Sequence, residues 1–221
     1  MKKNKLTTAV VAGLAGMAGM ANAAMHVGTE GTGQVLIYPY YTVNNDLVTT
    51  YSVVNTTNET KAVKVRFLEG DNSLEVLDFN VYLSPYDVWT GALGATTSTI
   101  GGHAGEPSGM HVSNDLSCAP FLQKAGQEFL PYEIDADVDV DPRSGYPANK
   151  SMERSTQGHF EVIEMGVVTG SYAAAADHGT NGIPDNFRGA GCAILEDAWN
   201  SGGSWKNSNG RLEDDSDPLS V

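Results

Sequence analysis

A strict two-residue alternation, repeated across one turn, limits this chain more than any other feature. Val63, Val65 and Phe67 alternate with Lys64 and Arg66. After the turn Gly70-Asp71-Asn72, Leu77, Phe79, Val81 and Leu83 alternate with Asp78, Asn80 and Tyr82. Successive side chains of a strand point to opposite faces, so each run is a strand with one apolar and one polar face. Residues 47–54, dense in β-branched side chains, read as a further strand between the turn Asn44-Asn45-Asp46 and the polar turn 55–60. Residues 34–41 form an apolar-aromatic run broken by Pro39. Proline cannot donate to a ladder, so this strand lies at an edge or bends there. Ser84-Pro85-Tyr86-Asp87 ends the second alternating run, and Val88-Trp89-Thr90 resumes extended structure. Strand candidates this close, joined by short turns, predict an immunoglobulin-like antiparallel sandwich over residues 24–91. The Cys…Trp…Cys spacing of antibody domains is absent from it.

The rhythm stops at Gly91. Residues 91–109 are small, polar and glycine-rich and read as a loop or linker, followed by a short strand at 110–113. Residues 121–129 suit one or two helical turns, 159–168 a strong strand and 192–199 a helix, while 172–176 is ambiguous. The region 92–221 is therefore expected to be looser, a loop-rich β region with short helices. It stops at Pro218-Leu219-Ser220-Val221 without a closing element, which suits a fragment of a longer protein as well as a whole chain.

The environment is read from the other end. Lys2, Lys3 and Lys5 precede the apolar stretch 6–20, and Ala21-Asn22-Ala23 is a small-x-small cleavage site. This is the pattern of a secretory signal peptide over residues 1–23, too short for a comfortable membrane span and without a stop-transfer pattern behind it. Export to the periplasm, cell surface or medium follows. No cysteine follows the signal directly, so a lipid anchor is not expected. The formal net charge is −14 and becomes more negative once the three lysines leave. Such a chain repels nucleic acid and anionic membranes and suits divalent cations. Two cysteines, Cys118 and Cys192, in an exported chain predict one disulfide.

Four stretches carry a resemblance: Gly33-Gln34-Val35-Leu36-Ile37-Tyr38-Pro39-Tyr40-Tyr41-Thr42-Val43, Val53-Val54-Asn55-Thr56, Lys64-Val65-Arg66-Phe67, and the run from Leu77 through Asp87-Val88-Trp89-Thr90-Gly91. Together they resemble a group of uncharacterised exported proteins of Gram-negative bacteria. Residues 112–118 and 158–166 look similar to the same group. The resemblance implies export and bacterial origin and brings no catalytic residues with it.

Two acidic segments are candidate calcium sites. Asp135, Asp137, Asp139 and Asp141 fall at every second residue. In a strand they share one face about 7 Å apart, where a calcium ion relieves their repulsion. The same pattern suits a solvated acidic edge strand. It is not an EF-hand, since Pro142 and Ala148 stand where that loop needs glycine and glutamate. The second segment, 177–186, resembles calcium loops of the type Asp-x-Asp-x-Asn-Gly-Ile-Pro-Asp-Asn. Asp177, Asn181 and Asp185 would be its ligands, with Gly179 in place of one acid. A plain turn fits it equally. Glu213, Asp214, Asp215 and Asp217 read as a solvated tail.

No reaction is declared. The histidines His26, His103, His111, His159 and His178 sit in no His-Glu-x-x-His motif, and Gly-x-Ser-x-Gly is absent. Tyr38, Tyr40, Tyr41, Tyr82, Tyr86 and Trp89 would stack on sugar rings or form an interface if exposed together, and fill a core if not. The expectation is a non-enzymatic structural or adhesion component that self-assembles or meets other surface proteins. A carbohydrate- or calcium-binding module is the first alternative and an exported hydrolase the second.

Overall fold

The computed structural model describes residues 28, 30–131, 149–177, 190–200, 202–205 and 219–220. The chain divides into two units, Met1–Gly33 and Gln34–Val221. Of the first, residues 28 and 30–33 are described, and none of them belongs to a strand or helix.

The second unit is mainly β. Its strands are β1 (Val35–Thr42), β2 (Thr49–Val54), β3 (Thr60–Glu69), β4 (Glu75–Leu83), β5 (Val88–Thr97), β6 (Pro107–Val112), β7 (Gln127–Glu128), β8 (Gln157–Val168) and β9 (Leu219–Ser220). Among the described residues, two α-helices, α1 (Gly170–Ala176) and α2 (Ala190–Trp199), lie between β8 and β9 in sequence. The strands form two antiparallel sheets. The first has the order β1-β8-β3-β4, with β9 also on β8, and the second the order β2-β5-β6-β7. The segment 24–91 thus supplies β1–β4 and the start of β5, while the strand between β1 and β3 comes from residues 157–168.

The alternating runs do what their period requires. Val63, Val65, Phe67, Leu77, Phe79 and Val81 are buried in the core with Tyr51, Val53, Trp89 and Leu93 of the second sheet. The opposite face of β3 is a charge ladder. Arg66 pairs with Glu75 at 2.6 Å and Glu161 at 2.9 Å, and Lys64 with Asp78. Lys61 has the parity of Val63 and stands opposite Leu83 at the end of β3, where it pairs with Glu164 at 2.7 Å. Tyr82 departs from its alternation. It is fully buried because this end of the outer face is covered by a second cluster containing Leu195 and Ala198 of α2 and Trp205. Its hydroxyl accepts a hydrogen bond from Trp199 Nε1.

Within 91–109 the expected loop is confined to residues 98–106, and both ends of the stretch are strand. β5 continues to Thr97, and β6 starts at Pro107 and pairs with it from Pro107 to Val112. Two of the glycines that suggest a linker, Gly91 and Gly109, make room for rings. A Cβ on Gly91 would lie 2.5 Å from the Tyr51 ring and 2.7 Å from His111 Nε2, and one on Gly109 would lie 2.7 Å from the Phe129 ring. Residues 121–129 correct the helical expectation. Phe121 takes φ 65°, and the segment passes through two turns, closed by Leu122 N–H to the Ala119 carbonyl and Gly126 N–H to the Gln123 carbonyl, before β7 pairs with β6. The Phe129 N–H donates to the Gly109 carbonyl and the Leu130 N–H to that of Val76, so this segment bridges both sheets. The strand at 159–168 and the helix at 192–199 appear as β8 and α2.

Candidate functional site

The disulfide joins Cys118 to Cys192 with a Cα–Cα distance of 5.4 Å, ordinary for such a bridge. It ties the segment after β6 to α2 and so holds the cover over Tyr82.

Of the candidate calcium ligands, Asp177 is exposed at the end of α1. Asn181, Asp185, Asp135, Asp137, Asp139, Asp141 and the 213–217 cluster lie outside the described residues. Among the described residues no group of three or more His, Cys, Asp or Glu side chains is arranged to hold a metal ion.

The histidines sort by environment. His111 is completely buried in an aromatic nest. Trp89 Nε1–H donates to the Tyr51 hydroxyl at 3.0 Å, and that hydroxyl lies 2.9 Å from His111 Nε2. Indole is a donor only, so the Tyr51 O–H is free to donate onward to Nε2, which leaves the imidazole proton on Nδ1. Nδ1 has no hydrogen-bond partner among the described residues. Burial lowers the His111 pKa to about 4 and raises that of Tyr51. His103 Nδ1 lies 3.0 Å from Glu106, which also accepts from the Met152 N–H at 2.7 Å and the Ser151 hydroxyl at 3.2 Å. The Met152 N–H, followed by His103 and Ser151, holds this carboxyl below its usual range against the opposing effect of burial. Ser151 touches the acid rather than the imidazole, so this trio lacks the base contact that activates a serine nucleophile. It clamps the β5–β6 connection to residues 151–152.

The six aromatic residues do not form one platform. Tyr41, Tyr82 and Trp89 are fully buried, and Tyr38 stacks on Phe160 with ring centroids 4.2 Å apart. Tyr40 and Tyr86 are exposed.

Two surfaces stand out. The first is the side of the sandwich made by β1 and β2, each the last strand of its sheet. The Tyr38 hydroxyl donates to the Ser52 carbonyl at 2.9 Å, and the Thr42 N–H to Thr49 Oγ1 at 3.1 Å. Neither strand carries a charged residue. Val35, Ile37, Leu47, Val48 and Val54 are exposed here, Ile37 at 69%. Pro39 sits where the β1–β8 register shifts between Tyr38 and Tyr41, so its missing N–H costs no ladder bond. At the opposite end of the first sheet β4 is protected, since Tyr82 N–H donates to the Cys118 carbonyl and Val76 accepts from Leu130.

The second is a polar cleft of about 540 Å³. Asn44 and Asn45 enter it from the β1–β2 turn, Asp71 from the β3–β4 turn, and Asn149, Glu153 and Gln157 from the stretch leading into β8. Arg154 also lines it, and its fully buried side chain pairs at 2.9 Å with that of Glu69 beneath. Glu69 also accepts the backbone N–H groups of Asp71, Asn72 and Leu74, and Arg154 donates to the Asn149 carbonyl. One buried ion pair therefore fixes two of the loops that build the cleft. Burial alone would raise the Glu69 pKa, but Arg154 and the three N–H groups outweigh it and hold the carboxyl below its usual range. The cleft eludes sequence reasoning because its walls come from three distant segments. The turn signals Asn44-Asn45-Asp46 and Gly70-Asp71-Asn72 mark two of them.

No protein-family model, no curated protein and no solved structure matches this chain. The fold and its surfaces define a two-sheet antiparallel β protein with one disulfide, in which the β4 edge is covered and no described strand extends β1 or β2.

Proposed function

We propose that this chain is an exported, non-enzymatic structural or adhesive component of a bacterial surface or periplasm that assembles by strand addition. The observation that carries this reading is the contrast between the two ends of the first sheet: β4 is covered by residues 118–130, whereas β1 and neighbouring β2 are uncharged and expose Ile37, Val35 and Val54. Sheet edges are normally blunted by charge, by cover or by shortness, because an unpaired backbone row is a template for another strand. An uncharged apolar edge is the surface a second copy, or a strand of another surface protein, would extend. The acidic chain adds direction to this choice, since like-charged copies meet most readily where neither carries charge. The resemblance to exported Gram-negative proteins and the signal-peptide pattern support the location. The reading needs a two-sheet sandwich and does not depend on an immunoglobulin topology.

Light scattering after size-exclusion chromatography of residues 24–221 over a wide concentration range tests it. Growth of the oligomer with concentration, abolished by Ile37→Lys, is the expected result. A wild-type chain that stays monomeric at the highest concentration would rule out self-assembly.

A further inference from the structure

We propose that the cleft above the Arg154–Glu69 pair is a binding site for a neutral carbohydrate, a ligand class separate from the strand partner proposed for the β1/β2 edge.

The chemistry of the lining selects this class. Carboxamides dominate it, from Asn44, Asn45, Asn149 and Gln157. Each carboxamide offers a donor and an acceptor side by side. Sugar hydroxyls both give and receive hydrogen bonds, and adjacent hydroxyls present the matching pair. Among the described residues no aliphatic or aromatic side chain lines the cleft itself, so an apolar ligand would find little there to bury against. At its rim stands Tyr40, 60% exposed, with its hydroxyl donating to Gln157 Oε1 at 3.3 Å. A tyrosine fixed by its hydroxyl and bare on its ring can take the C–H face of a pyranose. A polar notch beside one exposed aromatic ring thus meets both sides of a sugar.

Charge excludes the nearest competitors. Arg154 is satisfied by Glu69 at 2.9 and 3.3 Å and also lies 3.7 Å from Asp71. Asp71 and Glu153 then leave the described lining with an excess of negative charge. Phosphate, sulfate and uronic-acid ligands would meet repulsion there. A neutral saccharide would not, and the two carboxylates add strong acceptors for its hydroxyls. The volume lies in the range of small-molecule sites. The buried ion pair fixes the β3–β4 turn and residue 149 before any ligand arrives, which lowers the ordering cost of binding.

Isothermal titration of residues 24–221 with soluble cello-, chito-, malto- and manno-hexaose tests the site. Oligogalacturonate and calcium chloride serve as the anionic and cationic comparisons. Repeating the titrations on the Ile37→Lys chain separates this site from assembly at the edge. One neutral series is expected to bind, with affinity reduced about tenfold or more by Tyr40→Ala and unchanged by Tyr86→Ala, which removes an exposed tyrosine elsewhere. Gln157→Ala should weaken binding in the same way, while both variants keep the wild-type melting profile. Absence of binding by all four neutral series would overturn the proposal. So would binding indifferent to Tyr40→Ala and Gln157→Ala, or preference for oligogalacturonate or calcium.

Discussion

The Tyr51 hydroxyl lies 2.9 Å from His111 Nε2 in the middle of the sandwich, with Trp89 donating to the same hydroxyl. This polar chain is surrounded by Phe67, Phe79 and Phe160. It explains why position 91 is glycine, since a Cβ there would run into both rings.

The His111 pKa predicts acid sensitivity. In the fold it is lowered from 6.5 to about 4. Between those values the unfolded chain takes up a proton that the folded core refuses, so stability rises with pH. The contribution is complete above about pH 6.5 and falls away as pH drops toward about 4, a loss on the order of 3 kcal/mol. Urea unfolding at pH 7, 5.5 and 4.5 should show this slope. His111→Phe should flatten that part of the profile.

The Arg154–Glu69 pair is entirely buried. Arg154→Met leaves a buried carboxylate without its cation and should destabilise by about 3–5 kcal/mol. Replacing both, as Arg154→Met with Glu69→Leu, restores less than a simple pair would, because three backbone N–H groups of the β3–β4 turn also lose their acceptor. The Glu69 pKa is lowered in the fold, so its contribution is present above the ordinary carboxylate range and is lost as pH falls through and below it. Chemical denaturation of the two variants gives both values.

Reduction of Cys118–Cys192 should lower stability by about 4 kcal/mol in the chain-entropy account of a closed loop this long. The loss should begin at the helical cover. Trp199 and Trp205, packed around Tyr82, report it as a fluorescence change before the sandwich unfolds.

Ile37→Lys acts on an exposed side chain, so it should change unfolding free energy by no more than about 0.5 kcal/mol while removing oligomers. Parallel denaturation and light-scattering measurements separate an interface residue from a structural one.

Calcium binding through Asp177, Asn181 and Asp185, or through the 135–141 run, predicts a higher melting midpoint with calcium than with chelator. A midpoint indifferent to calcium removes both sites. A shift abolished by Asp185→Asn assigns the ion to the 177–186 loop.

Legibility in the sequence varies with the reach of each interaction. The period of β3 and β4 needs only neighbours along the chain, and Val65, Phe67, Phe79 and Val81 go inside as their spacing requires. Glycines mislead because their reason is remote: Gly91 is shaped by Tyr51 and His111, and Gly109 by Phe129. Tyr82 reads as solvent-facing because nothing near it in sequence announces α2 and Trp205. Turn residues at 44–46 and 70–72 are recognisable as turns, but not as two walls of one cleft.

Local periodicity and composition are enough to specify a mainly β chain with alternating strands, a helix at 192–199, and two cysteines suited to pairing. Three other features arise only from packing at long range. β8 enters between β1 and β3, the β4 edge is covered while no described strand extends β1 or β2, and Arg154 finds Glu69 beside a cleft. Strand pairing across a hundred residues depends on which faces and edges are left when every nearer contact is made. That is a property of the whole packed chain and of no segment within it.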